Sequence, residues 1–216
     1  SWSGEVLWEY VTDQETQRIH HDIDPLPNGN ILVVVWERVP KSEYVAAGRN
    51  PDTVPDGILW LDTVHEIRPT GKSGAEVVWR WSPWDHAVQN FDETKTNYGD
   101  PAAHPYRIDL NQLREESGRF NKLADWLHIN SVQYNPEREE MMLSLQAMSE
   151  VWVVSKKTGK LVYRFGNPQR YGKGSVEDRT LFNPHDANTI PAGLEGEGNI
   201  ILFNNVSHIV PGKAPG

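Results

Sequence analysis

The feature that most constrains this chain is a short pattern that recurs three times. A glycine turn, a pair of aliphatic residues and alternating aromatics follow one another at 4–10 (Gly4, Val6, Leu7, Trp8, Tyr10). The pattern returns at 74–81 (Gly74, Val77, Val78, Trp79, Trp81) and at 159–165 (Gly159, Leu161, Val162, Tyr163, Phe165). After a variable loop, each copy leads to a histidine-bearing segment: His20-His21-Asp22, then Trp126-Leu127-His128-Ile129-Asn130, then Pro184-His185-Asp186. The first and third run on into an Asn/Gly turn and a strand pattern (28–32 and 198–201), and the second uses Tyr134-Asn135-Pro136 as its turn. Strand groups that repeat and open on the same polar position read as the blades of a β-propeller.

Other β-type runs, bounded by Gly, Pro and Asn, fall at 30–36, 58–61, 141–144, 151–154 and 199–203. The clearest unit spans 128–165, close to the ~40–45 residues of a four-stranded antiparallel blade. On that ruler 20–81 is one blade, enlarged by an insertion around 38–57, and 185–216 begins another. The fold class is therefore all-β: about three blades of a propeller, in a single domain or part of one over 1–216. Propellers close with roughly four to eight blades, so other chain segments are expected to complete the ring, and the edge after Phe203 would otherwise be a pairing hazard. Trp8, Trp79 and Tyr163, equivalent in the repeat, are expected between blades. The stretch 82–124 is too long for a blade loop and is expected as an ordered loop and helix insertion. Its best helical pattern is 109–124, where Leu110, Leu113, Phe120 and Leu123 share a face that Gly118 interrupts.

Charge and composition narrow the partners. The 216 residues carry 21 Lys plus Arg against 30 Asp plus Glu, a net charge of -9. With no basic run, that balance argues against nucleic acid or an acidic membrane surface. No apolar stretch approaches the ~20 residues of a membrane span, and Ser1–Gly4 enters a strand pattern without a signal-like segment. The absence of cysteine excludes disulfide scaffolds, thiolate metal sites and thiol nucleophiles.

Several stretches together resemble the arylsulfotransferase (aryl-sulfate sulfotransferase) family of six-bladed propellers. They are HHDIDPLPNGNILVVVWE (20–37), WSPWDHAVQNFDETKTNYGD (81–100), DWLHINSVQYNPEREEMMLS (125–144), SEVWVVSKKTG (149–159), YRFGNPQRYGKG (163–174) and LFNPHDANTIPAGLEGEGNIILFNN (181–205). They cover most of the chain in the family's order, and Trp-Leu-His-Ile-Asn-Ser followed by the later His-Asp-Ala is the most diagnostic pair. The resemblance implies transfer of a sulfuryl group from a small aromatic sulfate ester to a phenolic acceptor, with no cofactor. It implies His185 as the residue that carries the sulfuryl group, His21 and His128 as its pocket partners, and a periplasmic or secreted location. Asn130, Gln146, His86 and Asp186 are the implied substrate-binding residues. In one branch of the family an arginine on the strand after the central histidine motif binds the sulfate, and here that stretch (143–148) offers Gln146 instead.

The chemistry stands beside the resemblance. Sulfuryl transfer, like phosphoryl transfer, has a loose transition state with charge on the equatorial oxygens. It is helped by an in-line nucleophile and by positive donors aimed at those oxygens. Neutral imidazole is a competent nucleophile near pH 7, a covalent intermediate predicts ping-pong kinetics, and neighbouring imidazoles can move the phenolic protons. With Gln146 neutral, the positive charge must come from a protonated histidine or from an arginine such as Arg164 or Arg170. Strand alternation puts His20 and His21 on opposite faces, so at most one of them is expected to face the channel, and the resemblance favours His21. Alternation also puts His128 opposite to Leu127 and Ile129. The insertion is expected to wall the pocket on the histidine face with Trp84, His86 and Tyr98. Two other functions fit the same residues: a metal-dependent lyase or hydrolase with His21, His128 and His185 as ligands, and a non-catalytic binding or assembly propeller.

Overall fold

The computed structural model of the chain describes residues 1–54, 57–113 and 124–205. Two four-stranded antiparallel sheets carry the fold. The first is built from β1 (Gln17–Pro25), β2 (Ile31–Pro40), β3 (Ile58–Thr70) and β4 (Gly74–Trp81), paired in that order. Between β2 and β3 lies a six-residue helix, α1 (Lys41–Ala46). Two short strands, β5 (Ala87–Val88) and β6 (Ile108–Asp109), pair in parallel within the insertion. The second sheet consists of β7 (Ile129–Asn135), β8 (Glu140–Leu145), β9 (Glu150–Ser155) and β10 (Leu161–Phe165). A two-stranded sheet, β11 (Pro184–Thr189) with β12 (Ile200–Asn204), follows.

Among the described residues these are blades in sequence order, two complete and one begun, a portion of a propeller without a closed ring. The repeat explains the strands. β2 is a run of aliphatic, mostly β-branched residues, Ile31-Leu32-Val33-Val34-Val35, whose consecutive side chains are nearly all buried because sheet faces on both sides are covered. Pro27-Asn28-Gly29 supplies the three-residue turn before it, with the Gly29 N–H on the Leu26 carbonyl at 3.0 Å and Gly29 in the left-handed region that closes such a loop. The unit read at 128–165 is the second blade, and the one read at 20–81 is the first.

The blades are joined edge-on through their first strands. On β1, Asp22 Oδ2 accepts from the Val132 amide at 2.9 Å and Asp24 Oδ2 from the Tyr134 amide at 2.6 Å. On β7, Ser131 Oγ accepts from the Ala187 amide at 3.1 Å and Gln133 Oε1 from the Thr189 amide at 2.6 Å. Residues two apart on a strand share a face, so each first strand offers two acceptors to the backbone of the next. At the turn end of the blades, Lys156 Nζ reaches Glu66 at 2.6 Å across the same joint. The main core, including Trp81, Trp126 and Trp152, lies between the two full blades and under the insertion.

Three expectations need correction. Residues 5–11 form no strand: Trp8 and Tyr10 lie on Val33, Val35 and Ile67 of the first blade, while Val6, Leu7 and Val11 are exposed. The segment meets the β3–β4 turn through the Glu9 N–H on the Lys72 carbonyl at 3.1 Å and Trp8 Nε1 on the Gly74 carbonyl at 2.9 Å, without forming a ladder. Of the three equivalent aromatics only Trp79 sits between blades, under Lys156 at 4.8 Å, whereas Tyr163 is half exposed. The 109–124 pattern begins in β6 and an irregular stretch instead of a helix, and 114–123 lie outside the described residues.

Candidate active site

The histidine segments fall where the first strands lose their regular ladder. In β1 the register shifts between Ile19 and Ile23, in β7 between Ile129 and Ser131, and in β11 between His185 and Asn188. At or beside these bulges His21 (φ 57), His128 (φ 53) and Asp186 (φ 52) adopt left-handed backbone. That conformation is costly for residues other than glycine, and His and Asp are among the few that tolerate it. A β-bulge re-aims side chains, and here it gathers rings.

The His21 and His128 rings stand 4.6 Å apart, edge to face. His20 joins them: its ring stacks on Trp36 at 4.0 Å and lies 5.0 Å from His21, with Nδ1 to Nδ1 at 2.8 Å. One of those two nitrogens donates and the other accepts. The expectation that alternation sends His20 away from His21 is therefore overturned, because alternation does not survive a bulge. Burial and the charge of His21 hold His20 down to about 3, so it is a neutral ring at working pH. Burial first, and then the charge of His128, lower His21 as well.

Two carboxylates sequence reasoning missed organise the cluster. Asp125 Oδ2 pairs with His128 Nδ1 from three residues away. Asp62, fully buried in the middle of β3, accepts the amides of Leu127 at 3.2 Å, His128 at 3.1 Å and Ile129 at 2.9 Å, and lies 3.6 Å from His20 Nε2. Three consecutive amides closing on one carboxylate hold the left-handed turn that carries His128. Burial, then the charge of Asp125, push the Asp62 carboxyl up to about 7. A buried Asp within the otherwise apolar Leu59-Trp60-Leu61-Asp62 run was a readable signal, since such a group needs partners.

On β11, His185 Nδ1 lies 3.0 Å from the Asn183 carbonyl. A carbonyl only accepts, so in the neutral ring Nδ1 carries the proton and Nε2 keeps its lone pair. His185 is near enough to His21 to lower the affinity of that ring for a proton. Asn130 supports it indirectly: Nδ2 donates to the Pro184 carbonyl at 2.8 Å, and Oδ1 accepts from Ser144. The Gln146 backbone N–H donates to the His128 carbonyl at 3.1 Å, which puts this residue's backbone beside the cluster. Asp186, next to His185, is bonded to the Asn188 side chain at 2.8 Å.

Other predicted residues are not brought here. His86 stacks on Trp81 at 6.5 Å and abuts Gly159 in the β9–β10 turn, at outer strands of the two blades. Trp84 packs into the main core and Tyr98 is half exposed. The insertion instead ties Asn111 and Asn97 to the β2–β3 connection and Pro105 to Arg164, and it leads back through Trp126 to His128. Arg164 cannot serve as a free cation. It is buried and doubly bonded to Glu150 through Nε and Nη2, both at 2.8 Å. Among the described residues no group of three or more His, Cys, Asp or Glu is arranged to hold a metal ion.

The blade-built chain gathers imidazoles and carboxylates at its first strands. The family model described as Arylsulfotransferase (ASST) matches residues 1–209, and the chain belongs to that family. No match was found among curated proteins. No described helix is long and apolar enough to cross a membrane.

Proposed function

We propose that the chain moves a sulfuryl group from a small aromatic sulfate ester to a phenolic acceptor through a sulfohistidine at His185. The observation that carries this reading is the Nδ1 contact of His185 with a carbonyl, which leaves Nε2 as the nucleophilic nitrogen. In the first half-reaction the Nε2 lone pair forms the N–S bond as the S–O(aryl) bond breaks. Its electron pair stays on the aryl oxygen, which takes a proton from His128 Nε2. In the second half-reaction the acceptor phenol gives its proton to His128 as its oxygen attacks sulfur, and the N–S electron pair returns to His185. His21, 4.6 Å from His128, faces the same step. Asn130 and Asp186 belong to this site as supports of the segment bearing His185, and Gln146 as a neutral neighbour of the sulfate. An exported, periplasmic or secreted, location accords with family habit.

Incubation with 4-nitrophenyl sulfate should add about 80 Da, one SO3, to the peptide holding His185, since covalent catalysis traps the group on the nucleophile. His185→Ala should abolish both the adduct and turnover, whereas His21→Ala should slow turnover. An unmodified His185 in a turning-over enzyme, or full activity in His185→Ala, refutes the mechanism.

A further inference from the structure

The geometry points to Asp125 as the positioning residue that keeps His128 a doubly protonated, cationic ring facing the reacting sulfate; this rests on the proposed sulfuryl transfer. An ester monoanion entering the cluster needs a positive partner; of the two arginines the sequence offered, Arg164 is paired with Glu150, and Arg170 is bonded to the Leu113 carbonyl and Met148 Sδ. Each imidazole of the cluster can be weighed for that role by what its Nδ1 touches. His185 Nδ1 meets the Asn183 carbonyl, an uncharged acceptor that brings no negative partner to the ring. The Nδ1 atoms of His20 and His21 meet each other, so the ring that accepts there cannot take a second proton, and burial lowers the proton affinity of both rings. His128 Nδ1 meets a carboxylate.

A carboxylate at hydrogen-bond distance favours the charged form of an imidazole. The same contact fixes which nitrogen points onward, in the manner of an acid–base histidine oriented by a buried aspartate. Among the described residues, the other charged or titratable groups around the ring include His21 and His20 from β1, Asp62 from β3 and, beyond His21, His185 from β11. Asp62 meets the backbone amides of the His128 turn, so ring orientation falls to Asp125. Both are mostly shielded from water: the Asp125 side chain is 15% exposed and that of His128 23%, which keeps the pair from being screened away.

In the first half-reaction the Nε2 proton of the His128 cation passes to the departing aryl oxygen, leaving a neutral ring whose Nδ1–H still rests on Asp125. In the second the acceptor proton restores the cation. The charge thus serves twice, first towards the sulfate oxygens and then as the proton for the leaving group.

The test is Asp125→Asn, with Asp125→Glu alongside, in the full chain. NMR of histidine ring nitrogens should show the His128 titration falling by about one pH unit or more in Asp125→Asn and largely restored in Asp125→Glu. Turnover of 4-methylphenyl sulfate should drop about 100-fold or more in Asp125→Asn, the range that general acid catalysis supplies. The drop should be much smaller for 4-nitrophenyl sulfate, whose phenolate leaves without a proton. An unchanged His128 titration, or an equal loss with both esters, overturns the assignment. The NMR arm does not depend on turnover: a wild-type chain that transfers no sulfuryl group refutes the function, whereas a shifted titration upholds the ion pair.

Discussion

Replacing Asp62 by Asn tests whether one buried carboxylate holds the site together. The asparagine keeps the shape and turns one oxygen into an amide nitrogen. The least costly orientation leaves an oxygen for the Leu127 and His128 amides and sets the nitrogen against the Ile129 amide, now 2.9 Å from where its acceptor was. One buried N–H then lacks a partner and faces another donor. A buried donor in that state costs about 1–3 kcal/mol, so the loss should be about 2 kcal/mol at pH 5. Its pH dependence carries a sign. Burial and the Asp125 charge raise the folded Asp62 carboxyl to about 7, above its unfolded value of about 4. The unfolded chain therefore releases this proton first, and wild-type stability from this group falls as pH rises between about 4 and about 7. Asparagine has no such slope, so the deficit of the variant should narrow between pH 5 and pH 8. Urea unfolding followed by tryptophan fluorescence measures both quantities. A deficit that widens with pH would show that Asp62 grips the amides as a carboxylate with a lowered pKa. A loss under about 0.5 kcal/mol at both pH values would show that the clamp does not matter.

Two further substitutions probe the first blade and the sulfate. Burial would raise the Glu37 carboxyl, but bonds and charge from Arg80 and His65 outweigh it and bring it to about 2. Its stabilisation is present above pH 4.5 and is lost as pH falls through about 2. Glu37→Gln should therefore cost about 1 kcal/mol near pH 7, after discounting for partial exposure, with the difference vanishing in acid unfolding. Gln146→Arg adds a cation next to His128, and calorimetry should find inorganic sulfate bound at least several-fold more tightly. No change in sulfate affinity would place the anion away from this strand.

Much of the fold was legible because blade strands carry their own signature. β-branched runs between Gly and Asn turns located β2, β3, β4, β8, β9, β10 and β12 within a few residues at most starts, though β3 runs on to Thr70 where the pattern stopped at 61. The same signature misled at 5–11, where the backbone meets the β3–β4 turn through the Glu9 N–H without building a ladder. The histidines at 21, 128 and 185 were legible from motif and repeat. His20 was not, because the reasoning assumed a two-residue period through a place where the register slips. Asp125 and Asp62 escaped for different reasons: one lies in a loop three residues before His128, and the other lies 66 positions away in sequence from that histidine.

The joints between blades show why a site of this kind resists reading from residue types. Asp22 and Asp24 do for the second blade what Ser131 and Gln133 do for the third. A carboxylate pair and a hydroxyl–amide pair look unrelated, yet each supplies two acceptors, two residues apart, to backbone amides of the next first strand. The requirement is for an acceptor on one face, which several side chains meet. The corresponding residues on β11, Asp186 and Asn188, bond to each other. The placement of the site follows from these joints. Val132 is fixed four residues after His128 and Ala187 two residues after His185, each by a side chain of the preceding blade. Histidines far apart in sequence are thus set by bonds between blades, and the bulges then turn the rings inward. Weakening one joint should accordingly move one histidine relative to the others while leaving each sheet intact.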